Sequence, residues 1–406
     1  MGRSELFKAA REAVEFIKPI GRRKGSSLLI HHDEADGICS AAIASKALES
    51  LGFTVKPICL EKLYREVLEE IYRSSIFDAI VFTDIGGAHA GYISRLNTDR
   101  IPTIILDHHK PEQPSNPSVF NLSPDLYGLN GDEISASTVA YIFAKVAYPE
   151  AENLAHLALI GSAEIPGPIR GLDMEATQDA IRRGLVEPAG REDYRVKAMG
   201  RPLSYKKISG ILSILGSVGY YRGGPTLGLK ACLEGLTGEI ESFASKLEDE
   251  RREANRKLLS RLYREGLTVD GYTQWFHAED SFSGMGVKVI GSFCSYLRYQ
   301  KRIVRPDLYI IGFMHMSREI PGFNPLKSDY SKVSGRLPEW LEGEVKKGLK
   351  PPLSIILPKA CEACGGFGDG HTSAASGVVL RGEEEDFIEE FNRLVSEYTG
   401  VSSRRC

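Results

Sequence analysis

The 406-residue sequence predicts an α/β protein in two parts: a parallel sheet flanked by helices, joined through a helical linker to a smaller α/β domain. Three observations predict it. Short apolar runs alternate with helical stretches through the first third of the chain, the pattern of a parallel sheet covered on both faces. Several of those runs stop abruptly at His, Asp or Glu. A long charged helix then ends at Gly266, and a strand pattern restarts after it.

Taken in order, residues 6–18 have the spacing of an amphipathic helix, followed by the basic turn Gly21-Arg22-Arg23-Lys24-Gly25. Ser27-Leu28-Leu29-Ile30 is a strand that stops at His31-His32-Asp33-Glu34-Ala35-Asp36-Gly37, with an alanine-rich helix from about Ile38 to Leu51. A strand at Phe53-Thr54-Val55, a helix over 61–74 and a strand at Ala79–Thr83 follow, the last ending at Asp84-Ile85-Gly86-Gly87. After a helix over 89–97, Pro102 leads into Ile104-Ile105-Leu106 and then Asp107-His108-His109. Ser135 and Ser137 each stand where a helix reaching about Val146 needs a cap. An apolar helix over 151–160 leads to Gly161-Ser162-Ala163-Glu164-Ile165-Pro166, and residues 170–225 mix helical fragments with Gly-Pro turns.

The long helix covers Glu239–Glu265, with Ile240, Phe243, Leu247, Ala254, Leu258 and Leu262 on one stripe and Glu248–Arg252 and Glu253–Lys257 as i,i+4 pairs. Beyond it, strands are expected at 273–277, 307–313 and 353–357, a helix near 287–299, and a glycine-rich turn over Gly365–His371. The expected boundaries are 1–200, 201–268 and 269–406.

Composition excludes several classes. Apolar residues make up 42% and charged residues 26%, as in ordinary globular proteins. The first 18 residues lack a signal-peptide core and no apolar run approaches the roughly 20 residues of a membrane span, so a cytoplasmic protein with no membrane contact is expected. A net charge of −3 requires any nucleic-acid affinity to come from a local basic patch. Seven scattered cysteines argue against a disulfide framework; Cys361 and Cys364 form one CxxC without the two further ligands of a zinc site, and read as reduced thiols.

The chemistry is concentrated at strand ends. His32, Glu34 and Asp36, then Asp84, then Asp107, His108 and His109 follow three runs that a parallel sheet would align, and ligands gather at that edge. So many carboxylates cannot be crowded together as bare anions. Mixed His/carboxylate ligation suits manganese, zinc or iron, with magnesium as a further candidate. Two such ions bridged by one Asp would activate water and hold a phosphoryl group for in-line attack.

Asp107-His108-His109 together with His32-x-Glu34-x-Asp36-Gly37 resembles the DHH phosphoesterase superfamily. Gly368-Asp369-Gly370-His371 resembles the GGGH motif of the DHH-associated C-terminal domain, and Lys332-Val333-Ser334-Gly335-Arg336 that domain's basic serine-arginine strand. Ser135-Ala136-Ser137-Thr138 resembles a segment of archaeal members, and the likeness runs from about residue 26 to 380, nearest to the RecJ-like nucleases.

The resemblance implies a DHH domain over 1–200, a helical insertion and linker over 201–268, and a DHH-associated nucleic-acid-binding domain over 269–406. It implies two divalent ions, manganese first and magnesium second. His32, Glu34 and Asp84 would hold one; Asp36, Asp84 and His108 the other. Asp107 would orient His108, and His109 would meet the scissile phosphate. Ser334, Arg336, Gly368, Gly370 and His371 would contact nucleic-acid phosphates. Glu34 stands where the family has Asp, Ile165 where a fourth-motif Asp stands, with Glu164 as its substitute, and Asp369 replaces a glycine.

The implied function is a metal-dependent exonuclease on single-stranded DNA or RNA in repair or replication, with Tyr296, Tyr299 and Trp275 as stacking candidates and a replicative-helicase component or repair helicase as partner. The alternatives are a catalytically weakened scaffold for replication or repair proteins, and a phosphatase for short oligonucleotides or small phosphoesters.

Overall fold

The computed structural model describes residues 2–73, 76–190 and 192–402. The chain forms two compact units. One runs to Leu247 and includes Pro321–Phe323; the other comprises Glu248–Ile320 and the chain from Asn324 on. The expected linker residues 201–247 therefore belong to the first unit.

The first unit opens with α1 (Gly2–Gly21), β1 (Ser26–His31), α2 (Ala35–Leu51) and β2 (Thr54–Cys59). Then come α3 (Arg65–Arg73), β3 (Ala79–Thr83), α4 (Ala90–Leu96), β4 (Thr103–Leu106) and β5 (Val119–Asn121). The expected end of the third helix, Ser74, lies outside the described residues. The five strands form one parallel sheet in the order β2-β1-β3-β4-β5. All residues of β3 and β4 are buried, which is why these segments read as unbroken apolar runs.

Helices α5 (Ala136–Ala147), α6 (Ala155–Gly161) and α7 (Gly171–Arg182) pack with α2 into the helical layer behind the sheet. Ser135, not Ser137, caps α5: its hydroxyl accepts from the Thr138 amide at 3.2 Å. The segment that sequence periodicity could not resolve folds as a small antiparallel sheet, β6 (Val186–Pro188), β7 (Tyr194–Val196) and β8 (Leu203–Ser204), followed by α8 (Tyr205–Ser213) and α9 (Gly224–Glu234). The long helix is α10 (Gly238–Glu265), and Gly266 ends it at φ +79°. Its stripe is as expected except that Ala244, rather than the half-exposed Phe243, fills the buried position.

The second unit contains β9 (Thr268–Asp270), β10 (Thr273–His277), α11 (Lys288–Leu297), β11 (Tyr309–His315), β12 (Tyr330–Arg336), α12 (Glu339–Lys346), α13 (Leu353–Ala363), β13 (Phe367–Gly370), β14 (Ala374–Leu380) and α14 (Glu384–Ser402). Its strands form a six-stranded sheet in the order β13-β14-β12-β11-β10-β9.

Three expectations are corrected here. Residues 353–357 are helical, not a strand. Leu353, Ile356, Leu357, Ala360 and Cys361 all face the core, a helical spacing that a five-residue window cannot separate from a buried strand. The glycine-rich stretch is not a free turn, because Phe367–Gly370 pairs with β14 as an edge strand. Cys361 and Cys364 are buried free thiols, and Trp275 packs against the core of this unit rather than standing out as a stacking surface.

Candidate metal centre

Register brings the site together. His31 of β1 pairs with Thr83 of β3, and Thr83 with Leu106 of β4. The next residues, His32, Asp84 and Asp107, therefore leave the sheet at one level. Asp84 adopts φ +59°, a left-handed conformation that Asp tolerates better than most side chains and that ends β3 sharply. Its carboxylate lies among three imidazoles. Oδ2 is 3.2 Å from His32 Nδ1, and Oδ1 is 3.5 Å from His108 Nε2 and 3.9 Å from His109 Nδ1. Asp84, His108 and His109 can each turn a donor atom to within 4.8 Å of the others, the spacing of a metal-ligand set.

Asp36, in the first turn of α2, is buried with its Oδ2 4.0 Å from His108 Nε2. Its two oxygens accept the amides of Ala136 and Ser137 at 2.8 Å each, so it caps the start of α5. This approach needs Gly161 at the end of α6, where a Cβ would lie 2.5 Å from Asp36 Oδ1. Burial, then the charge of Asp84, pushes the Asp36 carboxyl up to about 6. Two carboxylates that destabilise each other beside imidazole nitrogens fit a divalent cation, whose charge would relieve the crowding.

The histidines are set by their other nitrogens. His108 Nδ1 lies 3.1 Å from the Gly131 carbonyl, which can only accept, so Nδ1 carries the proton and Nε2 presents its lone pair toward Asp84 and Asp36. That corrects the expected role of Asp107 as the group that orients His108. Asp107 instead accepts from the amides of Gly87, His108 and His109 and from His109 Nδ1, at 2.7, 2.8, 3.2 and 2.7 Å. Burial alone would raise its carboxyl, but His109, His108 and these donors hold it well below the ordinary carboxylate range. His31, the other half of the His-His pair, is a core residue that donates Nδ1–H to the His32 carbonyl at 2.8 Å.

Of the remaining expected ligands, Glu34 is half-buried at the N-cap position of α2. Glu164 lies beside the same loop, where its Oε1 accepts from the Ala35 amide at 3.1 Å and the Ser213 hydroxyl at 2.8 Å. Sequence reasoning missed Asp33. It is fully buried, with Oδ1 3.3 Å from His32 Nε2. The only available signal was its position between His32 and Glu34.

The expected phosphate contacts all lie in the second unit. Ser334 is fully buried, and the Arg336 guanidinium donates to Ser295 Oγ at 2.8 Å, Ser334 Oγ at 3.0 Å and the Gly335 carbonyl at 2.8 Å. Both residues thus tie α11 to β12. Gly368 and Gly370 pair with Gly377 and Ala375, and exposed His371 closes the hairpin through its amide and the Ala374 carbonyl at 2.8 Å.

Comparison with known proteins agrees with this architecture. Residues 27–162 match the DHH family, N-terminal domain. A 190-residue stretch is 24% identical to the single-stranded-DNA-specific exonuclease RecJ of Thermus thermophilus, covering 44% of this chain but only 28% of that relative. A crystal structure of exonuclease RecJ bound to manganese superposes with a TM-score of 0.64 at 16% identity, over 96% of this chain and 94% of the other. RecJ from Thermus thermophilus in complex with Mn2+ gives 0.63 at 18% identity, over 96% of this chain and 55% of that one. CDC45 from Entamoeba histolytica gives 0.60 at 11% identity, over 96% and 99%. No helix among the described residues is long and apolar enough to cross a membrane. With the sheet order, the strand-end motifs and the family match in agreement, residues 27–162 are similar to the N-terminal domain of the DHH family, and the chain has a RecJ-like α/β fold.

Proposed function

We propose that this chain is a metal-dependent phosphodiesterase that hydrolyses single-stranded DNA or RNA as an exonuclease in repair or replication. The observation that carries the reading is the convergence of Asp84, His108 and His109, with His32, at the carboxyl ends of three adjacent parallel strands. Asp84 and His108, flanked by His32, Asp36 and Asp33, would hold two divalent ions, manganese first and magnesium second. Such ions supply charge that stabilises a transferring phosphoryl group and acidifies the attacking water. Asp107 accepts from His109 Nδ1–H and holds the ring, and in its imidazolium form this half-exposed side chain would also donate through Nε2 to a phosphate oxygen.

The test is a digest of end-labelled single-stranded DNA and RNA in manganese, magnesium or EDTA, beside Asp84→Asn. Metal-dependent release of nucleotides that the variant abolishes is the expected result. Cleavage confined to dinucleotides or small phosphoesters would reassign the chain to the small-substrate phosphatases.

A second reading is favoured by one observation. The Glu164 carboxylate, the expected substitute for the fourth-motif Asp, is engaged at the start of α2. A chain with one weakened metal position would serve as a scaffold for a replicative-helicase component or repair helicase. Strand binding without cleavage in any metal would select this reading.

A further inference from the structure

Residues 281–306 of the second unit carry Lys288, Arg298, Lys301, Arg302 and Arg305 and no Asp or Glu, in a chain whose net charge is −3. Within this stretch α11 buries Val289, Ile290, Phe293, Cys294 and Leu297. The same turn that buries Leu297 leaves Tyr296, in the last turn of α11, and Tyr299, just past its end, 48% and 65% exposed, and the Tyr299 amide donates to the Tyr296 carbonyl at 3.3 Å.

The segment that carries the two rings is braced. The Arg298 guanidinium lies 5.1 Å from the Tyr299 ring centroid and is fixed by Glu342 Oε2 at 3.3 Å. The Tyr263 hydroxyl donates to Gln300 Oε1 at 2.9 Å, bracing the turn between Tyr299 and Lys301. Ser295, the residue before Tyr296, accepts from Arg336 Nε at 2.8 Å. Lys301 and Arg302 are exposed and form no ion pair among the described residues, whereas Arg305 is paired with Asp307 at 2.9 Å. Exposed aromatic rings interleaved with unpaired cations are poorly served by water, and a flexible polyanion with flat bases suits both.

We propose that Tyr296 and Tyr299 form a stacking platform for the bases of a single-stranded nucleic acid, with Lys301 and Arg302 neutralising its phosphates. The inference rests on the nucleic-acid reading above and names a holding surface on the second unit. Stacking accounts for base dependence without sequence preference. The two unpaired cations account for a salt-dependent part.

The experiment measures fluorescence anisotropy of a labelled oligothymidylate of about 12 nucleotides in EDTA, with an abasic strand of the same length and polyglutamate as comparison probes. Tyr296→Ala/Tyr299→Ala is expected to weaken oligothymidylate binding by about tenfold or more and abasic-strand binding by less than about twofold. Lys301→Gln/Arg302→Gln is expected to weaken both and to reduce the log–log salt slope by about 1.4. These side chains are exposed, so the variants should fold. Binding by the parent chain that both variants retain would overturn the platform and leave the nuclease reading standing. Equal binding of polyglutamate at the same residues would make the surface an acidic-peptide site and overturn the proposal. Absence of strand binding by the parent chain would overturn both.

Discussion

Asp84→Asn separates the cost of the metal centre from its use. Asn keeps the side-chain shape and also tolerates φ +59°, so the substitution mainly removes charge. The Asp36 carboxyl is pushed from the ordinary 3.8 up to about 6, a penalty of ~3 kcal/mol on its charged form. Burial is the larger cause and the Asp84 charge the second. Removing that charge should therefore return less than half, ~1 kcal/mol. A carboxyl raised in the folded state destabilises as pH rises from its unfolded value through its folded one. The advantage of the variant should accordingly be absent near pH 4, where Asp36 is protonated, and complete above about pH 6.5.

In EDTA at pH 7.5 the variant should melt ~2–4 °C higher than the parent chain. Manganese at about 100 times its Kd should then raise the parent by ~2.7 kcal/mol and leave the variant nearly unmoved. Thermal melts at the two pH values, with and without manganese, make the measurement. A variant that melts lower than the parent in EDTA at pH 7.5 would refute the crowding on which the cation fit rests.

Three other outcomes are expected. His108→Ala, which removes the Nε2 donor aimed at Asp84 and Asp36, should weaken manganese binding by about 100-fold or more in calorimetry while the chain stays folded. Glu164→Gln keeps an oxygen for Ala35 and Ser213, so manganese affinity should change less than about threefold, whereas Glu164→Ala should cost ~1–2 kcal/mol in a denaturant melt. A large affinity loss in Glu164→Gln would make that carboxylate a ligand. Gly216→Ala places a Cβ 1.6 Å from the Asp33 carbonyl and should cost ~3 kcal/mol or more, read as loss of soluble protein or a lowered melting temperature.

The parallel sheet was legible because its strands are buried on both faces, leaving apolar runs that end sharply at polar residues. The strand-end ligands were legible for the same reason, since adjacency in the sheet converts three distant motifs into one edge. Two roles could not be read. Whether Asp107 or a backbone carbonyl holds the His108 ring depends on the path of Gly131, a turn 23 residues downstream. The burial of Asp33 depends on how the loop after β1 leaves the sheet, and neighbouring carboxylates look alike in sequence. The helix over Leu353–Ala363 was misread because its first five residues are nearly all apolar. The small sheet over 186–204 has strands of only two or three residues, too short for periodicity to register.

The cap that Asp36 places on α5 gives the site a built-in reporter. The amides of Ala136 and Ser137 donate to the carboxylate whose Oδ2 lies 4.0 Å from His108 Nε2. Any cation drawing on those oxygens must change the electron density that the two protons feel. Their chemical shifts and exchange rates should therefore follow occupancy and protonation at the centre directly, with no substrate present. Loading could be titrated at two backbone positions of a helix that contributes no expected ligand.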